Sequence, residues 1–490
     1  MKQLLRQMTP IREKSIDEEA PSDEKAPSDE KAPADEKTSA KVAVIQQPAI
    51  YNKRLEFIQA LFDIKPEDVV NFPGIGSYCD YLEREAFHPL TGPSFDPIWG
   101  LIPYKNPREI TDRWDWILAV LQAMGSEETE ISIHDILQRL KVRGGDHSAI
   151  LDRCKDKSSF YIAIFGVLCW SSMVARPNLI PTDNTARNLT CLLPHGSRLS
   201  KDSTIHALSS RHMRPIPLIF RSFKMQHWGD QLGDRVQGGS WEGDSLYKAS
   251  LSIYSLRYFG HVTIQWVDTI SEHLRFNPAT RRLSLFRFPT FCALFAIYGG
   301  NVSSAIQSIS EQIDPLSPED RDQCCVSLEQ EVLLSYRLLF GRDGMSRKVA
   351  HDEICRLKKI HANQSVDTML LDLCGRKYKH GSLWWRTYDT VLQNYPSEMW
   401  PVTCRTMKGH LLESDVYSVR NDFPRLGPRL LKLQQFNLRQ RPNKLIDLWR
   451  DRRNPLQWYT FWAVVIVGGV ANILAALQLL VAIVELQTSF

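Results

Sequence analysis

The sequence predicts a mainly α-helical body with a small β element (α+β), carried on one C-terminal transmembrane helix. Three observations lead there. From Phe461 to Val484 the chain runs FWAVVIVGGVANILAALQLLVAIV, twenty-four residues without a charge. Upstream, apolar residues recur at the 3–4–7 spacing of a helix face behind recognisable caps. Two stretches, 261–267 and 282–288, alternate in the manner of strands.

The uncharged run comes first because it says where the protein lives. At ~1.5 Å per residue it reaches about 36 Å, enough to cross a hydrocarbon core of ~30 Å with some tilt. Arg450-Asp451-Arg452-Arg453 precedes it, and Trp458, Tyr459, Phe461 and Trp462 supply rings suited to the headgroup region. Basic residues are retained on the cytosolic side, so the body is expected in the cytosol. Met1 to Arg6 is followed by no apolar h-region, so no cleaved secretory signal is expected. The expectation is a single-pass, tail-anchored protein, with endoplasmic reticulum or plasma membrane favoured over the mitochondrion.

Composition fits a mostly soluble body. Of 490 residues, 43% are apolar and 24% charged, ordinary for globular chains. A net charge of +4 is too small to imply a nucleic-acid partner, and no stripe of bases and aromatics suggests one. Ten cysteines occur without a C-x-x-C pair, which fits free thiols in a reducing compartment. Cys324-Cys325 is expected to pack on a helix rather than to form a vicinal disulfide. Three matches to the glycosylation acceptor pattern, at Asn188, Asn301 and Asn363, are chance matches if the body is cytosolic.

The chain divides in order. Residues 1–50 form an N-terminal tail whose core, 20–37, is three tandem hexapeptides of the form APSDEK; with nothing large to bury, it should be disordered. Residues 51–175 read as helical, with the folded body starting near Lys53. Thr111 should cap a helix with Trp114, Ile117, Leu118 and Leu121 on one face and a stop at Gly125. Ser132 should cap another that carries Ile133, Ile136, Leu137 and Leu140. Phe160 to Ala175 is apolar but holds only sixteen residues, so a buried core helix is expected. Residues 176–255 are a loop-rich connection. Residues 256–424 are an α+β region with the two strands, helical character over 268–274, and the strongest helix starts of the chain. There Ser317-Pro318-Glu319-Asp320 orders a cap, a first-turn proline and two acids, and Ser327 to Gln330 has capping-box spacing before a helix ending at Gly341. Residues 425–460 are a basic juxtamembrane segment in which, from Arg425 to Arg453, nine bases face two acids. The transmembrane helix 461–484 and a short tail 485–490 follow.

Two runs, Ile264-Gln265-Trp266-Val267-Asp268-Thr269-Ile270-Ser271-Glu272-His273-Leu274-Arg275-Phe276 and Leu448-Trp449-Arg450-Asp451-Arg452-Arg453-Asn454-Pro455-Leu456-Gln457-Trp458-Tyr459-Thr460-Phe461-Trp462, resemble a family of uncharacterised filamentous-fungal proteins with a single C-terminal transmembrane helix. So do Leu333 to Gly341 and Leu285 to Cys292. The resemblance covers roughly 255–485. It implies the same architecture and carries over no activity and no functional residue.

Catalytic motifs fail one by one. Gly74-Ile75-Gly76-Ser77-Tyr78-Cys79 has Cys where a dinucleotide loop needs its third glycine, and no strand leads into it. Gly238 to Gly243 misses the nucleophile-elbow spacing by one residue. Ser22-Asp23-Glu24-Lys25 has the S-x-x-K order but lies in the repeat tail. One weak constellation survives: if 268–274 is helical, Asp268 and Glu272 share a face near His261 and His273, and could do acid–base work or hold a metal, although a solvated face looks the same. No catalytic, cofactor-binding or metal-binding residue is therefore assigned. The favoured function is a non-catalytic, membrane-anchored cytosolic interaction or scaffold protein. Its expected partners are the lipid bilayer, anionic lipid headgroups, a second copy through the transmembrane helix, and proteins the sequence does not identify. A membrane-anchored enzyme of unrecognised type is the alternative.

Overall fold

The computed structural model describes residues 36–91, 95–99, 109–125, 130–143, 157–179, 189, 191–192, 211–221, 245–341, 344–360, 365–374, 392–393, 395–440 and 455–488. The chain divides into two units, Met1–Pro48 and Ala49–Phe490. Of the first, the described part opens α1 (Glu36–Phe62). The helix therefore begins inside the segment expected to be a disordered tail. Ala40, Lys41, Ala43, Gln46 and Gln47 are good helix formers. Nearly all of the hexapeptide repeat lies outside the described residues.

The second unit holds one core, running from Phe57 to Leu433. Phe57, Ile58, Leu61 and Phe62 anchor the end of α1 in it. α2 (Ile75–Tyr81) inserts Tyr78, whose hydroxyl donates to the Trp170 carbonyl at 2.7 Å. α3 (Ile110–Met124) buries Trp114, Ile117, Leu118 and Leu121 as the spacing predicts, and stops at Gly125 with φ +73. Its N-cap is Glu109 rather than Thr111, which falls inside the first turn. α4 (Ile133–Arg143) is capped by Ser132, whose hydroxyl accepts from Asp135 N at 3.1 Å while the Asp135 carboxylate accepts from Ser132 N at 2.9 Å. α5 (Ser158–Ser172) is buried almost throughout, as a core helix should be.

Within 176–255 the described residues show short pieces: β1 (Arg176–Pro177) pairs with β2 (Cys191–Leu192), and β3 (Ser245–Tyr247) pairs with β7 (Val416–Ser418). The two alternating stretches are strands, β4 (Thr263–Val267) and β6 (Arg282–Phe286), joined in parallel from Thr263↔Arg282 to Val267↔Phe286. β5 (Phe276–Asn277) adds antiparallel on the far side of β6, giving the order β4-β6-β5.

Helices close over this sheet. α6 (Pro289–Tyr298) lies along α9 (Leu328–Phe340), with α7 (Ser304–Ile313) and α8 (Pro318–Asp322) between them in sequence. Ser317 accepts from Asp320 N, and Ser327 with Gln330 completes a capping box, both as expected. Cys324 and Cys325 sit in the loop between α8 and α9 as free thiols, not on a helix, because the cap at Ser327 starts the next helix after them. α10 (Gly344–Ile360) and α11 (Thr368–Cys374) pack behind α9.

The segment expected to run basic from 425 to 460 begins as body. α12 (Gly427–Arg439) buries Leu430, Leu433 and Asn437. Its Gln434 accepts from Tyr247 N at 2.7 Å, and Asn437 donates to the Ser250 carbonyl at 2.6 Å. Finally, α13 (Pro455–Thr488) holds Tyr459–Val484, of mean hydropathy 2.4, with none of its most apolar window buried. The architecture is a mainly α body with small sheets plus one helix long and apolar enough to cross a membrane.

Candidate functional site

The structure does not gather Asp268, Glu272, His273 and His261 into a site. Because β4 and β6 are parallel, the chain must cross from the end of β4 to β5 within residues 268–275. That crossing accommodates a single 3-10 turn, Ile270–Glu272, instead of a helix presenting two carboxylates on one face. Asp268 pairs with Arg287 at 2.5 Å, and that guanidinium lies over the rings of Tyr81 and Phe288. Glu272 accepts from the Thr269 hydroxyl at 3.3 Å. His261 is exposed, at φ +51.

His273 points inward and is fully buried. Phe286 N donates to its Nδ1 at 3.1 Å, which makes Nδ1 the acceptor and puts the proton on Nε2. Nε2 then donates to Ser335 Oγ at 2.8 Å, and that hydroxyl donates to the Val332 carbonyl at 2.7 Å. The ring is a neutral, single-tautomer bolt between β6 and α9. Burial, helped by the nearby Arg429 charge, lowers its pKa to about 3. Arg429 itself donates to the carbonyls of Ser271 and His273, holding the 3-10 turn against α12.

Other polar groupings have equally structural partners. Arg425 reaches Asp314 at 2.7 Å and Glu331 at 3.3 Å, while Glu331 also accepts from Leu426 N at 2.7 Å. Burial pushes the Glu331 carboxyl up. Arg337, also buried, pairs with Glu413, which takes Lys248 at 3.3 Å. Asp367 accepts from Thr290 N, Thr290 Oγ1 and Met369 N, so one carboxylate serves the first turns of both α6 and α11. Burial raises its pKa to about 6. Sequence reasoning passed over Asp367; its one signal was its place directly before the first residue of α11, where a capping acid belongs.

One cysteine–histidine pair also escaped the sequence. On α10, Cys355 Sγ lies 3.7 Å from His351 Nδ1 and 3.9 Å from Nε2. Near-equal distances to both nitrogens place the sulfur beside the ring rather than along one nitrogen's lone pair, the geometry a base–nucleophile pair needs. Among the described residues, no group of three or more His, Cys, Asp or Glu is placed to hold a metal ion. All nine described cysteines are free, and burial, with Cys191 nearby, holds the Cys169 thiol well above its ordinary pKa.

Among the described residues, what the fold leaves outward is α13, together with the bases Lys432 and Arg439 of α12. Two of the nine bases of 425–453, Arg425 and Arg429, are spent inside the body, whereas Lys432 and Arg439 are exposed. Arg441, Lys444, Arg450, Arg452 and Arg453 lie outside the described residues. No family profile, curated protein or solved structure significantly matches the chain. Fold and outward features together define a class: an α+β body joined to one helix able to span a bilayer.

Proposed function

We propose that the protein is a single-pass membrane protein whose cytosolic body is a tethered interaction module, gathering partners at the membrane. One observation carries the reading. Tyr459–Val484 is continuous helix, strongly apolar, and unburied by the body it belongs to. Exposing Val464, Ile466, Val467, Ile473, Leu474 and Leu480 together to water has a large cost that a bilayer removes. The basic flank Arg450-Asp451-Arg452-Arg453 favours the cytosol for the body. Among the described residues the buried acids, arginines and His273 act as fasteners, which favours binding through the surface of the body. The resemblance to the fungal single-span family points the same way. The test is topological: a glycosylation acceptor appended after Phe490 should be modified, and protease added to intact membranes should digest the body. An unmodified acceptor with a protected body would overturn the orientation.

A further inference from the structure

Resting on the membrane-anchored reading above, we infer that the β5–β6 hairpin tip and the adjoining flank of α12 form the face of the body that lies on the anionic leaflet. Residues 278–282 are all exposed, and the tip is held in shape: Asn277 Oδ1 accepts from Ala279 N at 3.0 Å and Thr280 N at 3.2 Å. It presents Arg281, in the left-handed region at φ +54, and Arg282. Next to it, Phe276 packs on Phe436 of α12 with ring centroids 4.7 Å apart. Lys432 and Arg439 stand four residues before and three after Phe436, hence on its side of the helix. All four bases are exposed, and among the described residues none makes an ion pair. Neither α12 nor 277–282 contains an acid to neutralise them.

The occupant follows from charge and from the chain itself. Only nineteen residues lie between Arg439 and Tyr459, so the end of α12 stays within roughly 70 Å of the bilayer even if the link is fully extended. That link carries five further bases, which draw it towards anionic headgroups and shorten the effective tether. A surface of unpaired bases, tethered at that range and continuous with a basic link, fits an anionic lipid surface. It uses Arg281 and Arg282, distant in sequence from the juxtamembrane run, and excludes Arg425 and Arg429, which belong to it by sequence alone.

The test uses the full chain in lipid nanodiscs, with a photo-reactive benzophenone amino acid at position 279. Illumination should give lipid adducts in discs containing phosphatidylserine. Adducts should fall roughly tenfold in discs of phosphatidylcholine alone, in high salt, and when Arg281→Gln and Arg282→Gln are combined. Equal adducts in both disc types, or none in phosphatidylserine discs that have incorporated the chain, would overturn the inference, as would adducts to protein in place of lipid. Failure of the chain to enter discs of either kind would overturn the anchoring reading as well, and purification of the discs reads that separately.

Discussion

His273 shows how a residue that looks reactive in a sequence can be structural. Its Nδ1 is fixed as an acceptor by Phe286 N, and its Nε2 proton is committed to Ser335. The folded pKa of about 3 lies below the ordinary value of 6.5, so the unfolded chain takes up a proton in acid that the folded chain refuses. The stabilisation is complete above pH 6.5 and is lost as pH falls towards 3. Between pH 6.5 and 5 this one group should cost the body about 2 kcal/mol in denaturant unfolding, and His273→Gln should flatten that part of the profile. Two glycines two residues apart in the failed dinucleotide motif, Gly74 and Gly76, make a second prediction. A Cβ on Gly74 would stand 2.1 Å from Asp367 Oδ1 and 2.2 Å from Thr290 Oγ1, whereas Gly76 has open space. Gly74→Ala should therefore destabilise by ~1–3 kcal/mol in thermal or denaturant unfolding. Gly76→Ala, inside α2, should be neutral or stabilising by up to ~1 kcal/mol.

At the scale of elements, local chemistry was legible wherever it decided the outcome by itself. The capping box at Ser327, the cap at Ser317, the stop at Gly125 and the apolar face of α3 all stand as their spacing implies. What was illegible depended on pairing at a distance. Nothing in residues 268–274 says that β4 and β6 run parallel, and that pairing turned a presumed helix into one 3-10 turn and buried His273. Arg425 and Arg429 look identical in sequence to Lys432 and Arg439; only the positions of Asp314, Glu331 and the 270–273 carbonyls separate fastener from surface. For α13 itself, Gly468, Ala471, Asn472, Ala475, Leu479 and Ala482 follow one line on the helix, and a Cβ at Gly468 would meet nothing. If two copies meet there, an Asn472 amide gains ~1–2 kcal/mol at most from its partner. Gly468→Leu and Asn472→Leu should each weaken self-association in a membrane dimerisation assay, and Val465→Leu should do so less. Parental behaviour from all three would leave the helix as an anchor alone.

The whole molecule is organised by two opposed uses of apolar surface. One core, from Phe57 to Leu433, closes over aromatic and aliphatic side chains and fastens buried charges by ion pairs, as at Arg425 and Arg337, or by backbone groups, as at Arg429 and Asp367. The other apolar surface, on Tyr459–Val484, is long and apolar enough to cross a membrane and is left unburied by the body. The second is legible in the sequence, because a helix able to span needs only length and the absence of charge. The outward face of the body was not, since it is assembled from Arg281, Lys432 and their neighbours through a fold no local pattern encodes. The central claim is that Tyr459–Val484 spans a bilayer, and extraction of membranes with alkaline carbonate tests it most directly. The full-length chain should remain in the membrane pellet. Val470→Arg combined with Leu474→Arg puts two charges near the middle of the helix, each costing ~2.5–3.5 kcal/mol on insertion, and should move the protein to the supernatant. Release of the unaltered chain by carbonate, or equal retention of the doubly charged variant, would contradict the account.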